Sequence, residues 1–246
     1  MVRQRHSGEY IDPMFSALFH RISTPIPSQC EVCHAWPSEP VCTDCISRFS
    51  HPHSRCQTCA LRVPSGVLRC GICVTQPSSL DACVAAVSYE YPWAGLVSLF
   101  KFSSRPAWAT QIAQIMQANA DVQPLLAASD LVLPMPLSTA RLRTRGYNQA
   151  LVLAHALRIE NLDSAVLLRI KDTTALSLLD REDRLRAMAD AFAVEPQLAP
   201  KVRGKRIVLI DDVMTTGATL HGAASVLKAA GAAHVAGLVF ARTEVD

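Results

Sequence analysis

Ile207-Val-Leu-Ile-Asp-Asp-Val-Met-Thr-Thr-Gly-Ala-Thr219 decides the reading of this 246-residue chain. Arg206–Ile210 reads as a buried strand, two carboxylates follow it, and a hydroxyl- and Gly-rich turn then opens a helix over Ala218–Ala230. Gly217 lets backbone approach an anion closely. The N–H groups at the helix start, with the hydroxyls of Thr215, Thr216 and Thr219, make a phosphate cradle beside Ala218. Asp211 and Asp212 suit the acceptance of hydrogen bonds from a pair of vicinal hydroxyls. Phosphate and diol at that separation describe a ribose 5-phosphate. The same carboxylates also suit a Mg2+-binding acidic pocket, and many doubly wound folds end a strand in an acidic, Thr-capped turn.

Outward from this stretch, apolar runs alternate with helical ones. Strands are expected at Cys83–Tyr91, Leu131–Pro136, Ala165–Ile170, Ala191–Val194 and His234–Ala241, and helices at Pro92–Phe102, Pro106–Ala120 and Asn148–Arg158. Such alternation predicts an α/β fold with a mostly parallel sheet and flanking helices. Ligands collect at the carboxyl ends of such strands, which points to Pro134–Asn148 and Asp211–Thr219. The first of these holds Arg141, Arg143 and Arg145 next to Gly146. Three guanidiniums so close can embrace a pyrophosphate with forked bonds, or simply form a solvated basic loop.

Eight of the nine cysteines form four C-x2-C pairs: Cys30/Cys33, Cys42/Cys45, Cys56/Cys59 and Cys70/Cys73. A two-residue spacer points both thiolates of a pair at one metal, and two pairs complete a tetrahedral shell. Eight ligands make two closed sites, so zinc here is structural. A disulfide framework is the alternative, but nothing in the sequence sends the chain to an oxidising compartment. Sequential pairing, first with second and third with fourth, is preferred over an interleaved arrangement. With shells full, His34, His51 and His53 are expected to be surface residues. Between Cys30 and Leu80 four arginines face three acids, and eight thiolates on two Zn2+ leave four negative charges. The loaded module carries net −3, which opposes phosphate binding and suits a scaffold or partner surface.

The whole chain carries a net charge of only +3, too little for a concentrated basic face. Half of it is hydrophobic, enough for one main core and a small appendage. No apolar run reaches the ~18 residues of a membrane span, and Met14–Phe19 is interrupted too soon for a signal sequence. A cytoplasmic location is expected.

The thirteen residues from Ile207 to Thr219 resemble the phosphoribosyl-pyrophosphate signature of type I phosphoribosyltransferases. The order of C-x2-C pairs, Lys101-Phe, Pro134-Met-Pro-Leu137, Arg141 to Gln149 and the Asp211–Thr219 run resembles the ComF-type competence family from about Cys30 to Arg242. That resemblance implies an N-terminal extension (residues 1–27), a double zinc ribbon (28–80) and a phosphoribosyltransferase-type domain (81–246). It implies binding of 5-phosphoribosyl-1-pyrophosphate (PRPP) with Mg2+, besides two structural Zn2+. Arg141, Arg145, Asn148, Asp211, Asp212 and Thr215–Thr219 would hold the ligand, and Lys101, Arg145, Asp211 and Asp212 would serve catalysis. Arg169 and Arg184 fall in the stretch expected to close over substrate. There the chain departs from the family, with Leu176 and Ala187 where Gln and Asn are common. The resemblance implies a role in DNA uptake, with single-stranded DNA or competence-machinery proteins as partners. Its rival to an enzyme is a non-catalytic factor that senses ligand in the same pocket. Aromatic residues make up 6% of the chain, little material for base stacking.

Overall fold

The apolar runs condense into a four-stranded sheet in which every neighbouring pair is parallel, as expected where helices connect the strands. This computed structural model describes residues 28–102, 106–171 and 190–244. They fall into two compact units, one ending at Cys45 and the other beginning at Ile46. Arg184, Leu176 and Ala187 lie outside the described residues.

In the first unit Ser28 and Ser38 exchange backbone hydrogen bonds of 2.8 Å, and His34 N–H reaches back 2.9 Å to the Cys30 carbonyl. The turn between them carries Cys30 and Cys33. Helix α1 (Thr43–Phe49) starts at the last pair of that group and continues into the second unit.

The second unit holds α2 (Gly71–Thr75) and the main sheet, ordered β1 (Ala82–Ser88), β6 (His234–Arg242), β5 (Arg206–Met214) and β2 (Leu131–Pro134). Helices α3 (Trp93–Phe102), α4 (Trp108–Gln117) and α5 (Val122–Ala127) lead from β1 to β2. Helices α6 (Thr139–Arg145) and α7 (Gln149–Ala156) follow β2, and α8 (Ala218–Ala229) joins β5 to β6. Alternate residues of one strand face opposite layers. Val239 of β6 packs in the cluster that contains Leu220, Ala223 and Leu227 of α8. Its neighbour Phe240 meets Trp93 of α3 edge-to-face, with ring centres 6.2 Å apart. The sheet is therefore covered on both faces, which is why its strands read as unbroken aliphatic runs.

Four local outcomes differ from the expectations. The strand expected to stop at Ile210 runs on to Met214, because Asp211, Val213 and Met214 keep their register with Val239, Ala241 and Arg242 of β6. The basic stretch is helical: Ser138 Oγ caps it by accepting Arg141 N–H at 3.3 Å, and Gly146, at φ 78°, ends it in the left-handed region. The helix expected over Pro106–Ala120 is α4 alone, with α5 separate after it. Strands β3 (Leu167–Arg169) and β4 (Phe192–Val194) pair antiparallel with one another, outside the main sheet. Three residues each, they satisfy their hydrogen bonds in a two-stranded ribbon packed on α8.

Candidate functional site

At the carboxyl ends of β5 and β2 the chain assembles two acids, a glycine turn and a basic corner. Gly217 sits at φ 80°, a conformation that L side chains avoid, and a Cβ there would stand 2.4 Å from Met214 Cε. The residue is thus fixed twice, by backbone and by space. It starts the twelve-residue α8, whose first N–H groups lack carbonyl partners of their own. Thr216 Oγ1 accepts the Ala218 N–H at 3.4 Å, and both Thr215 and Thr216 are exposed, as an anion cradle needs.

The two acids have different surroundings. Asp212 is buried on the α3 side, and its Oδ1 takes the Lys101 ammonium at 2.9 Å. Its Oδ2 is buried and has no hydrogen-bond donor among the described residues. Asp211 is half-buried and turns Oδ1 back onto the Asp212 N–H at 2.9 Å. Burial, and then the like charge of Asp212, push the Asp211 carboxyl up to about 7, against the pull of Lys101 and Arg145. Lys101, 111 positions from Asp212 in sequence, thus meets it in space, and Arg145 acts electrostatically on Asp211.

The corner after β2 is built around Tyr147 and Asn148. Tyr147 hydroxyl donates to the Phe100 carbonyl, one residue before Lys101, and so ties the basic corner to α3. Burial raises its phenol above the usual range, and the Asp212 charge adds to that. Asn148 caps α7 by accepting the Leu151 N–H at 3.2 Å and donates to the Met135 carbonyl at 3.0 Å, so its amide is engaged at both ends. Arg145 is half-buried and donates to Gln149 Oε1 at 3.2 Å. Arg141 is exposed four residues earlier, on the same side of α6. Arg169 lies on β3, its guanidinium 5.4 Å from the centre of the Phe192 ring. Tyr147 was missed in the sequence. Its signal is an aromatic beside Gly146, between two candidate ligand residues.

The cysteines gather in two groups, Cys30/Cys33/Cys42/Cys45 and Cys56/Cys59/Cys70/Cys73, in sequential pairing. None of the eight is in a disulfide. Sulfurs of different pairs approach to 3.9 Å (Cys30 and Cys45), 3.7 Å (Cys33 and Cys42) and 3.7 Å (Cys59 and Cys70). Four sulfurs held about 2.3 Å from one ion stand about 3.8 Å apart, so the spacing fits a tetrahedral Zn2+ and is far too long for a disulfide. Backbone N–H groups of Cys42 and Cys45 point at Cys30 and Cys42 sulfurs, both at 3.4 Å, as thiolates require.

Residues 165–244 match the phosphoribosyl transferase domain family. Over 202 residues the chain is 30% identical to the DNA utilization protein YhgH of Salmonella typhimurium, covering 79% of this chain and 87% of that protein. It is likewise 30% identical to competence protein F of Haemophilus influenzae over 201 residues, 78% and 85% of the respective chains. Competence protein ComFC of Streptococcus pneumoniae is 28% identical over 212 residues, 79% and 84%. Among the described residues no helix is long and apolar enough to cross a membrane.

Proposed function

From the premise that this chain belongs to the ComF-type competence family, we propose that it binds PRPP with Mg2+ at the β5–α8 turn and supports the use of incoming DNA. The observation that carries the reading is Asp212. One of its oxygens fixes Lys101, and the other is buried without a donor beside a phosphate-type cradle. Leaving a buried polar atom bare costs about 1–3 kcal/mol, and more for a charged carboxylate, and a sugar hydroxyl arriving there reduces that cost. The relatives' names, which refer to DNA utilization and competence, support the biological setting.

In this reading Thr215, Thr216, Thr219 and the N–H groups around Gly217 and Ala218 hold the 5-phosphate. Asp211 and Asp212 receive the ribose hydroxyls, and Arg145, with Arg141, faces the pyrophosphate from the α6 corner. Asn148 holds that corner in place. If an acceptor is present, it displaces pyrophosphate at the anomeric carbon, and the protein contributes positioning and charge stabilisation. Mg2+ supplies charge neutralisation of the pyrophosphate when bound. Zn2+ in each four-cysteine group supplies folding free energy.

Calorimetric titration tests the reading. Wild type should bind PRPP with Mg2+, and ribose 5-phosphate more weakly. The double variant Asp211→Asn, Asp212→Asn should lose about 2–4 kcal/mol of that binding, roughly 30- to 1,000-fold, while Mg2+ affinity of the free protein stays the same. No binding heat with wild type, or Mg2+ binding lost in the variant with ligand absent, overturns it. A pyrophosphate-release assay across nucleobase and amine acceptors separates an enzyme from a binding factor. Elemental analysis should give two Zn2+ per chain.

A further inference from the structure

Arg242 ends β6 almost without solvent contact, at 4% exposure, and among the described residues it makes no ion pair with a carboxylate. Its guanidinium instead gathers backbone carbonyls from two distant places. Nε donates to the Cys59 carbonyl at 2.9 Å. Nη1 donates to the carbonyls of Met214, at 3.3 Å, and of Thr215, and also to that of Thr243. Cys59 belongs to the second four-cysteine group, and Met214 and Thr215 are the root of the anion cradle. One planar cation therefore joins a metal-type knuckle to the loop that approaches phosphate.

A buried cation needs a compensating negative charge. Four thiolates on one Zn2+ leave a charge of −2 at the knuckle that carries Cys59, and a bound phosphate would bring another at the loop. Further contacts bind the same two parts: Cys83 N–H donates to the Gln57 carbonyl at 2.8 Å, and Cys83 sulfur lies 3.6 Å from Met214 sulfur. Gln57 lies inside the Cys56/Cys59 turn, and Met214 is the residue that fills the space beneath Gly217.

We propose that Arg242 is a positioning residue that makes the cradle's geometry depend on the state of the second four-cysteine centre, so that metal loaded there holds Met214–Thr219 ready for a phosphate-bearing ligand. What the loop binds rests on the PRPP reading; the coupling itself does not. A signal for it stands in the sequence as a lone charge closing the apolar run His234 to Ala241.

The test is hydrogen–deuterium exchange on the full zinc-loaded chain, read over residues 214–219 and, as an internal reference, over 207–210. In Arg242→Lys, which keeps the charge but not the fork, exchange at 214–219 should rise tenfold or more. Exchange at 207–210 and zinc content should stay at wild-type values. Should that variant fail to fold, the same readout on Cys73→Ser, which removes a half-buried ligand of the second centre, should show the loop loosened, whereas Cys33→Ser should leave it unchanged. Ribose 5-phosphate affinity should fall in step with loop exchange. Unchanged exchange at 214–219 in either Arg242→Lys or Cys73→Ser overturns the coupling. So does an equal rise at 207–210, which would mean general destabilisation. If the variants show the loop effect but wild type binds neither ribose 5-phosphate nor PRPP, the coupling stands and the PRPP reading falls.

Discussion

The two four-cysteine centres share their C-x2-C pairs and differ in what surrounds them. In the first, Cys30 and Cys45 are buried, Cys33 is exposed and Cys42 half-buried, and the group lies in a short unit outside the main apolar cluster. In the second, Cys56, Cys59 and Cys70 are buried, and they belong to the same apolar cluster as Leu209 of β5 and Leu220 of α8. The second is also framed by charge. Arg55 beside Cys56 donates to Glu244 at 2.9 Å and to Ser88 at 2.7 Å, and the Arg62 N–H reaches Glu244 at 3.0 Å. The same C-x2-C pairing, with eight residues between pairs in the first and ten in the second, thus serves one centre among turns and another that is part of the wall of the sheet. Metal-binding pattern and structural role are separable properties.

The largest test of that difference is Cys56→Ser. With the ligand gone, a polar group and an incomplete metal shell are left inside the main core. The variant should lose one Zn2+ and about 4 kcal/mol or more, a fall in melting temperature on the order of 10 °C by calorimetry. A melt that matches wild type would show that the second centre contributes nothing to the core around it.

Gly217→Ala attacks the loop from inside while sparing both centres. The left-handed backbone costs an L residue about 1–2 kcal/mol, and Met214 must move to admit the Cβ. Ribose 5-phosphate binding should weaken more than tenfold with two Zn2+ retained. Loss of zinc in this variant would mean that the coupling runs from loop to metal as strongly as the other way.

A pH series separates the loop from the metal centres by another route. The Asp211 carboxyl titrates near 7 in the folded chain against 3.8 ordinarily, so the folded state holds its proton more tightly. Stability from this group is therefore full below about pH 4 and is lost as pH rises towards 7. The ionised form is the better acceptor for sugar hydroxyls, so ribose affinity should rise between pH 6 and 8. In Asp211→Asn only the phosphate's own titration should remain. Equal pH dependence in both proteins would remove Asp211 from the ligand's contacts.

The smallest expected effect belongs to Cys33→Ser. One Zn2+ should be lost from the first unit, while ribose 5-phosphate affinity stays within about twofold and the main unfolding transition moves by no more than roughly 0.5 kcal/mol. A large loss of binding here would make the two centres equivalent after all.

Much of this was legible because the signals are local. Aliphatic runs marked the strands, and the C-x2-C spacing gave the sequential pairing that the sulfur distances bear out. The Asp-Asp-Val-Met-Thr-Thr-Gly run marked the strand-to-helix turn between β5 and α8. What stayed hidden depends on partners far away in sequence. That Asp211 and Asp212 lie within β5 follows from register with Val239 and Ala241, which no window around the acids contains. That Lys101 meets Asp212 follows from how α3 lies on the sheet. The surroundings of the second centre are hidden for the same reason: spacing reveals ligands, and burial is set by Leu80, Cys83 and α8.

Strand order has a consequence for synthesis. β6, the last in sequence of the four strands of the main sheet, lies between β1 and β5, so until His234–Arg242 has emerged from the ribosome β1 has no neighbour in that sheet. Some 150 residues separate β1 from that partner, and contacts so distant in sequence close slowly. During that interval the aliphatic edge of β1 is open to any other strand. The Cys56/Cys59 turn, whose Gln57 carbonyl holds the Cys83 N–H at the start of β1, is made beforehand and covers the opposite edge of that strand, so that only the edge awaiting β6 stays open. A nascent chain starved of zinc should therefore aggregate before it is finished, whereas a completed one would only melt earlier.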